Sequence, residues 1–209
     1  MLIESHSFGP AETNTYLVAC SETKQAVIID APSGSIPWLL KHIKTASLSV
    51  QAILLTHSHW DHVADIAALK TQLQVPLYVH KEDAGNVKTP GSDGLPLFFH
   101  IDGIEPDGFL EEGQQIQIGN LHIEVIHTPG HSPGSVCFYL KTQKVLFSGD
   151  TLFRGTIGSL SLPTARPSLM CTSLRRLAEL PQDTKVYPGH GEPTTIGAEQ
   201  WIARAKPHT

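Results

Sequence analysis

The segment "ILLTHSHWDH", residues 53–62, runs an apolar stretch straight into three histidines and an aspartate. Ile53, Leu54 and Leu55 read as the end of a buried strand. His57, His59, Asp61 and His62 follow where that strand must break into a loop. In extended backbone, side chains two residues apart point the same way, so His57 and His59 are aimed together. Asp61 and His62 stand at the turn into a helix. Three imidazoles this close disfavour one another's protonated forms, and a divalent metal shared with the aspartate is the economical explanation.

Three further segments extend the pattern: "TPGHSPGS" with His131, "FSGDT" with Asp150 and "YPGHGEP" with His190. Each sits at the end of an apolar strand or in a Gly/Pro turn beside one. Glycine permits the backbone angles that aim a side chain into a crowded site. Five histidines and two carboxylates exceed the three protein ligands of a typical catalytic zinc and suit two metals. Imidazole with carboxylate favours zinc, iron or manganese over a thiolate-bound metal; zinc is the first expectation. An aspartate between two metal-binding halves is a natural bridge. Two metals roughly 3.5–4 Å apart can deprotonate a shared water and polarise a carbonyl. His6, His42, His80, His100, His122, His127 and His208 read as ordinary surface or core residues.

Strand patterns occupy "MLIESHSF", "TYLVAC" and "AVIID", and "SIPWLLKHIKTA" has helical spacing at Ile36, Leu39, Leu40 and Ile43. A helix is expected over "HVADIAALKTQL" and a strand over "VPLYVH". Residues 86–108, broken by Pro90, Gly91, Gly94, Pro96, Gly103, Pro106 and Gly108, read as one long loop in which Phe98 and Phe99 line a pocket or pin the connection. Strands return at "QQIQIG", "LHIEVIHT", "SVCFYL", "KVLFSGD" and "KVYP", with helices at "PSLMCTSLRRLAEL" and "GAEQWIARA". "VIIDAP" and "VLFSGD" each end a strand at Asp, whereas "AILLTHSH" and "TKVYPGHG" each end one at His. This echo suggests two similar halves in a two-sheet sandwich flanked by helices, with strand ends meeting at a common rim.

The 209 residues suit one domain. A net charge of −5 and the absence of a basic run argue against a nucleic-acid partner. Cys20, Cys137 and Cys171 are too widely spaced for C-x-x-C chemistry or a disulfide framework. No apolar run approaches the ~18 residues of a membrane span, and the first residues lack a signal-peptide pattern. A cytoplasmic protein is expected, its oligomeric state left open.

"HSHWDH", with the later "GH", "GD" and "GHG" segments, resembles the signature of metallo-β-lactamase-fold hydrolases from "NTYLV" to "PGHGEPTTI". The resemblance implies an α+β fold, an αββα four-layer sandwich with metals at one rim. It also implies roles: His57, His59 and His131 on a first metal, Asp61, His62 and His190 on a second, and Asp150 bridging. Asp61 would also orient an attacking hydroxide held between the metals.

"SGDTLFRGTIG" followed by "VYPGHGEPTTI" looks most like the short glyoxalase II-like branch, which lacks the extra C-terminal helical region that helps hold glutathione. The implied substrate class is small thioesters such as S-lactoylglutathione. Relatives usually carry Lys or Arg directly after Gly158; here Ser159 stands there, with Arg154 or Arg166 as possible replacements. Two other readings keep the same ligands: a mononuclear-iron persulfide dioxygenase and a metal-stabilised binding protein without catalysis. A true β-lactamase is disfavoured by the presence of Asp150 and the absence of an export signal.

Overall fold

The computed structural model describes residues 1–206; His208 lies outside them. Among the described residues, twelve strands form two six-stranded sheets. In the first, β1 (Leu2–Phe8), β2 (Thr13–Ala19), β3 (Gln25–Ile29), β4 (Ser49–Leu54), β5 (Leu77–His80) and β6 (Gly108–Leu110) lie in sequence order. The second holds β7 (Gln115–Ile118), β8 (Leu121–His127), β9 (Val136–Leu140), β10 (Val145–Gly149), β11 (Lys185–Pro188) and β12 (Thr194–Thr195), again in order. Antiparallel meanders pass to parallel pairing at β3–β4 and at β10–β11. The two halves expected from the Asp and His echo are thus two sheets of like design.

Burial defines the layers. Val18, Val27, Leu54, Val125, Phe138 and Phe147 are among the residues closing the space between the sheets. The outer face of the first sheet packs Leu17, Ile28 and Ile53 against Leu39 of α1 (Ile36–Thr45) and Ile66 and Leu69 of α3 (Ile66–Leu73). The second sheet packs Cys137, Leu146 and Val186 against Met170, Leu174 and Leu177 of α5 (Pro167–Ala178). Because both faces of the central strands are buried, they read as unbroken apolar runs rather than alternating ones. The arrangement is the αββα sandwich.

Local departures from the sequence reading have identifiable causes. The helix expected from residue 62 is split into α2 (Trp60–Val63) and α3. Asp65 lies between them, and its carboxylate accepts the backbone N–H groups of Gly34, Ser35 and Ile36, serving the start of α1 instead of its own helix. The long 86–108 loop opens inside a short helix, α4 (Ala84–Lys88), and its last residue begins β6. "GAEQWIARA" closes as a 3-10 turn over Gln200–Arg204 rather than an α-helix.

At the end of β5, His80 stacks on His127 at the end of β8, with ring centroids 4.0 Å apart and planes at 16°. The stack joins the two sheets. Burial, then the neighbouring His127 and Lys81 against the opposing pull of Glu82, pushes His80 down to about 4. Its unfolded value lies near 6.5, so the unfolded chain takes up that proton first and the fold loses stability as pH falls from 6.5 towards 4. The urea midpoint of the wild type is therefore expected to fall further between pH 7 and pH 5 than that of His80→Gln. Equal falls in the two proteins would show that the stack does not couple to pH.

Candidate metal centre

The sequence-predicted ligands converge at one rim of the sandwich. His57, His59, Asp61 and His62 follow β4, His131 lies in the β8–β9 connection, Asp150 follows β10, and His190 follows β11. Ligand-type atoms gather in three groups, each within 4.8 Å: His57, His59 and His131; Asp61, His62 and His190; and His57, His62 and Asp150. Asp150 Oδ2 stands 3.3 Å from His131 Nε2 and 3.4 Å from His190 Nε2, between the first two groups. Its Oδ1 lies 3.3 Å from His62 Nε2.

Backbone and side-chain partners fix the imidazoles. His131 Nδ1–H donates to Ser159 O at 2.9 Å, and His190 Nδ1–H to Ala11 O at 3.0 Å. Each leaves Nε2 turned inward. His62 Nδ1–H donates to Asp30 Oδ2 at 2.8 Å. Thr56 Oγ1 spends its proton on the same carboxylate at 2.7 Å, so its oxygen accepts His57 Nδ1–H at 3.0 Å. Asp30 thereby orients one histidine directly and another through Thr56. Such partners hold a ligating histidine in tautomer and angle.

The inward atoms crowd one another. His59 Nδ1 is 2.8 Å from His131 Nε2, and His62 Nε2 is 3.3 Å from His190 Nε2. His57 Nε2, His59 Nε2 and Asp150 Oδ1 are buried without a hydrogen-bond partner. Buried nitrogens and carboxylate oxygens are seldom left so, and the imidazole–carboxylate donor set fits borderline divalent metals. The residues present fit two ions.

Charge divides the site. Burial, joined by neighbouring histidines, holds His57 far below its ordinary value and His59 down at about 3, so both stay neutral. His190, although burial opposes it, is raised to about 9 by hydrogen bonds to Asp150 and Asp61. Asp61 and Asp150 lie below the usual carboxylate range, because His62 and His190 outweigh the opposing effect of burial. The ionised carboxylates and the two histidines they raise, His62 and His190, thus lie together on one side, and the neutral imidazoles of His57 and His59 lie on the other.

Glycines make room for this packing. A Cβ on Gly158 would stand 2.6 Å from His131 Nδ1, and one on Gly189 would collide with Asp150 Oδ1 and come within 2.9 Å of His62 Cε1. The Arg154 guanidinium donates to Pro193 O. Ser159 gives its carbonyl to His131, while its exposed hydroxyl pairs with Ser161 Oγ at 2.9 Å.

Sequence reading missed Asp30, Thr13 and the carbonyls of Ala11 and Ser159. Thr13 Oγ1 donates to Asp61 Oδ2 at 2.6 Å. The strand-end aspartate in "VIIDAP" was a signal for Asp30. Carbonyls carry no residue-type signal.

This fold and this ligand cluster define a metal-site hydrolase architecture, and comparison with known proteins gives its family. The profile of the metallo-β-lactamase superfamily matches residues 8–190, and the chain belongs to that superfamily. Hydroxyacylglutathione hydrolase GloC of Haemophilus influenzae is 34% identical over 186 residues, covering 86% of each chain. Among solved structures, BLEG-1, described as a B3 metallo-β-lactamase, matches with a TM-score of 0.87 and 35% identity over 96% of each chain. TTHA1623 in a di-iron-bound form matches with a TM-score of 0.81 and 40% identity, over 94% of this chain and 96% of that one. Among the described residues, no helix is long and apolar enough to cross a membrane.

Two substitutions test the supports. Asp30→Asn keeps the volume but leaves a buried donor unpaired, so urea unfolding should show a loss of about 1–3 kcal/mol. Gly189→Ala should fold yet retain far less zinc after gel filtration than the wild type. Full retention would mean that the close approach to Asp150 is dispensable.

Proposed function

We propose that the protein hydrolyses small thioesters of the S-lactoylglutathione type, using two divalent metals. The supporting observation is the position of Asp150 Oδ2 between the two histidine groups, 3.3 Å from His131 and 3.4 Å from His190. His57, His59 and His131 would hold one ion and Asp61, His62 and His190 the other, with Asp150 shared. When bound, the ions supply Lewis acidity at the substrate carbonyl and a water-derived nucleophile at neutral pH.

The remaining work falls to the chain. Asp61, held by Thr13 at 2.6 Å, would accept a hydrogen bond from the attacking water and so orient it. A thiol leaves as the anion, since its pKa near ~8.5 makes protonation at departure unnecessary. Tyr16 on β2 spends its proton on Pro188 O and is not free to serve as a general acid. Cysteine nucleophiles are also unsuited. The Cys137 thiol is fully buried and pushed up to about 11 by burial. Cys20 sits past the far end of β2 from Thr13, roughly 20 Å away at ~3.3 Å per residue.

Likeness to GloC supports the thioester class. Likeness to BLEG-1 makes a β-lactam the second substrate to assay. TTHA1623 carries two irons, so iron stands beside zinc as the native metal.

The test is hydrolysis of S-lactoylglutathione by purified protein whose metals have been counted. About two metals per chain with turnover is expected, and Asp150→Asn should lower kcat/KM by at least ~10²-fold, the size expected for losing a shared electrostatic support. One iron per chain with oxygen uptake on a persulfide would overturn the reading in favour of a dioxygenase. Two metals with cleavage of a β-lactam alone would replace the substrate class. Full metal loading with no turnover of any of these would leave a binding protein.

A further inference from the structure

Asp83 stands between β5 and α4, outside the ligand set, yet its carboxylate is almost wholly buried. It occupies the N-cap position of α4 and makes no cap hydrogen bond. A capping aspartate is ordinarily worth ~1 kcal/mol, so the side chain forgoes a favourable local role. Its partners lie in the two ligand-bearing loops. Oδ2 accepts Ser58 N–H at 2.8 Å and Ser132 Oγ–H at 2.9 Å. Oδ1 accepts Gly134 N–H at 2.6 Å.

Ser58 lies between His57 and His59, on the loop that leaves the first sheet. Ser132 directly follows His131 on a loop of the second sheet. One carboxylate therefore ties together the backbone segments that carry three histidines, across the gap between the sheets. All three partners are donors, so an ionised carboxylate satisfies them and an amide of the same shape cannot.

Two further details show that the arrangement is built in. A Cβ on Gly134 would lie 2.5 Å from Asp83 Oδ1 and 2.6 Å from Cγ, so the close approach needs glycine there. On the other side of the same residue, Asn86 Nδ2–H donates to Ser58 O at 2.6 Å. Asn86 is itself held by Asp93 of the long loop, at 2.9 Å through Nδ2 and 3.2 Å through Oδ1. Ser58 is thus gripped at both its N–H and its carbonyl. The 92–93 stretch of the long loop acts as the anchor of that grip.

We propose that Asp83 is the positioning residue of the first metal subsite, setting the separation of the His57–His59 pair from His131. Its carboxylate hydrogen-bonds to Ser58, Ser132 and Gly134 and to none of the seven candidate ligand side chains. Asp61, His62 and His190 take their places from other partners, Thr13, Asp30 and Ala11. The consequence is selective: weakening Asp83 loosens one subsite and spares the other. This rests on the reading of the histidine groups as two metal subsites, which the wild-type zinc stoichiometry tests by itself.

The experiment is competitive zinc titration of chelated protein against a chromophoric chelator, for the wild type and Asp83→Asn. Two zinc ions in the wild type sustain the underlying reading; fewer would remove that reading before any variant is compared. Outer-sphere partners of metal ligands typically contribute roughly 10–100-fold in affinity. Asp83→Asn should lose that factor at one zinc equivalent and leave the other within about threefold of wild type, on the same basis. Equal weakening at both, or no change at either, would overturn the assignment. Should Asp83→Asn fail to fold, Ser132→Ala takes its place, since it removes one donor and leaves the carboxylate and both backbone bonds. It should weaken the same single equivalent by a smaller factor, and unchanged binding in Ser132→Ala would count against Asp83.

Discussion

Seven buried or half-buried histidine and aspartate side chains that could hold metal meet at one sheet rim, and the rest of the structure is arranged around that constraint. His59 Nδ1 faces His131 Nε2 at 2.8 Å, and Asp150 Oδ2 stands within 3.4 Å of two imidazoles. Such a cluster is unfavourable unless a cation shares it. The fold's contribution is to prevent its relaxation. Strand ends from both sheets deliver the ligands, and glycines at 158 and 189 leave the space they need.

Holding the ligands is the task of neutral and anionic acceptors behind them. Asp30 is the acceptor for His62 and, through Thr56, for His57. It sits in the left-handed region at φ 57°, a conformation that Asp tolerates better than most residues. Ala11 and Ser159 lend carbonyls to His190 and His131. Asp83 joins the loops on the opposite side of the site. Three aspartates, at 30, 65 and 83, each give their carboxylates to remote backbone rather than to their own segment. Local capping energy is exchanged for fixed loop positions.

The rim outside the ligands is less charged than the ligands themselves. Ser159 and Ser161 pair their hydroxyls, and Arg154 is occupied by Pro193 O. The ordered metal-binding interior and the neutral 159–161 segment are separate features. Hence family membership carries the hydrolase class and leaves the substrate to the proposal above.

The amino-acid sequence by itself determined the ligand types and the sandwich. Histidine and aspartate in strand-end and Gly/Pro contexts are informative because little else explains several titratable groups in six residues. Unbroken apolar runs such as "AVII" and "VLF" mark strands covered on both faces. Tertiary structure alone decided the supports. Asp83 and Ser132 are 49 positions apart and Thr13 and Asp61 are 48, and no local pattern announces a bond across such a distance. The same reason hid the helix break at Asp65, whose partners Gly34 to Ile36 lie about thirty residues upstream. It also hid the direction of Arg154. A side chain's chemistry is written in its own position, whereas the group it satisfies is chosen by which distant backbone the packing of two sheets brings alongside.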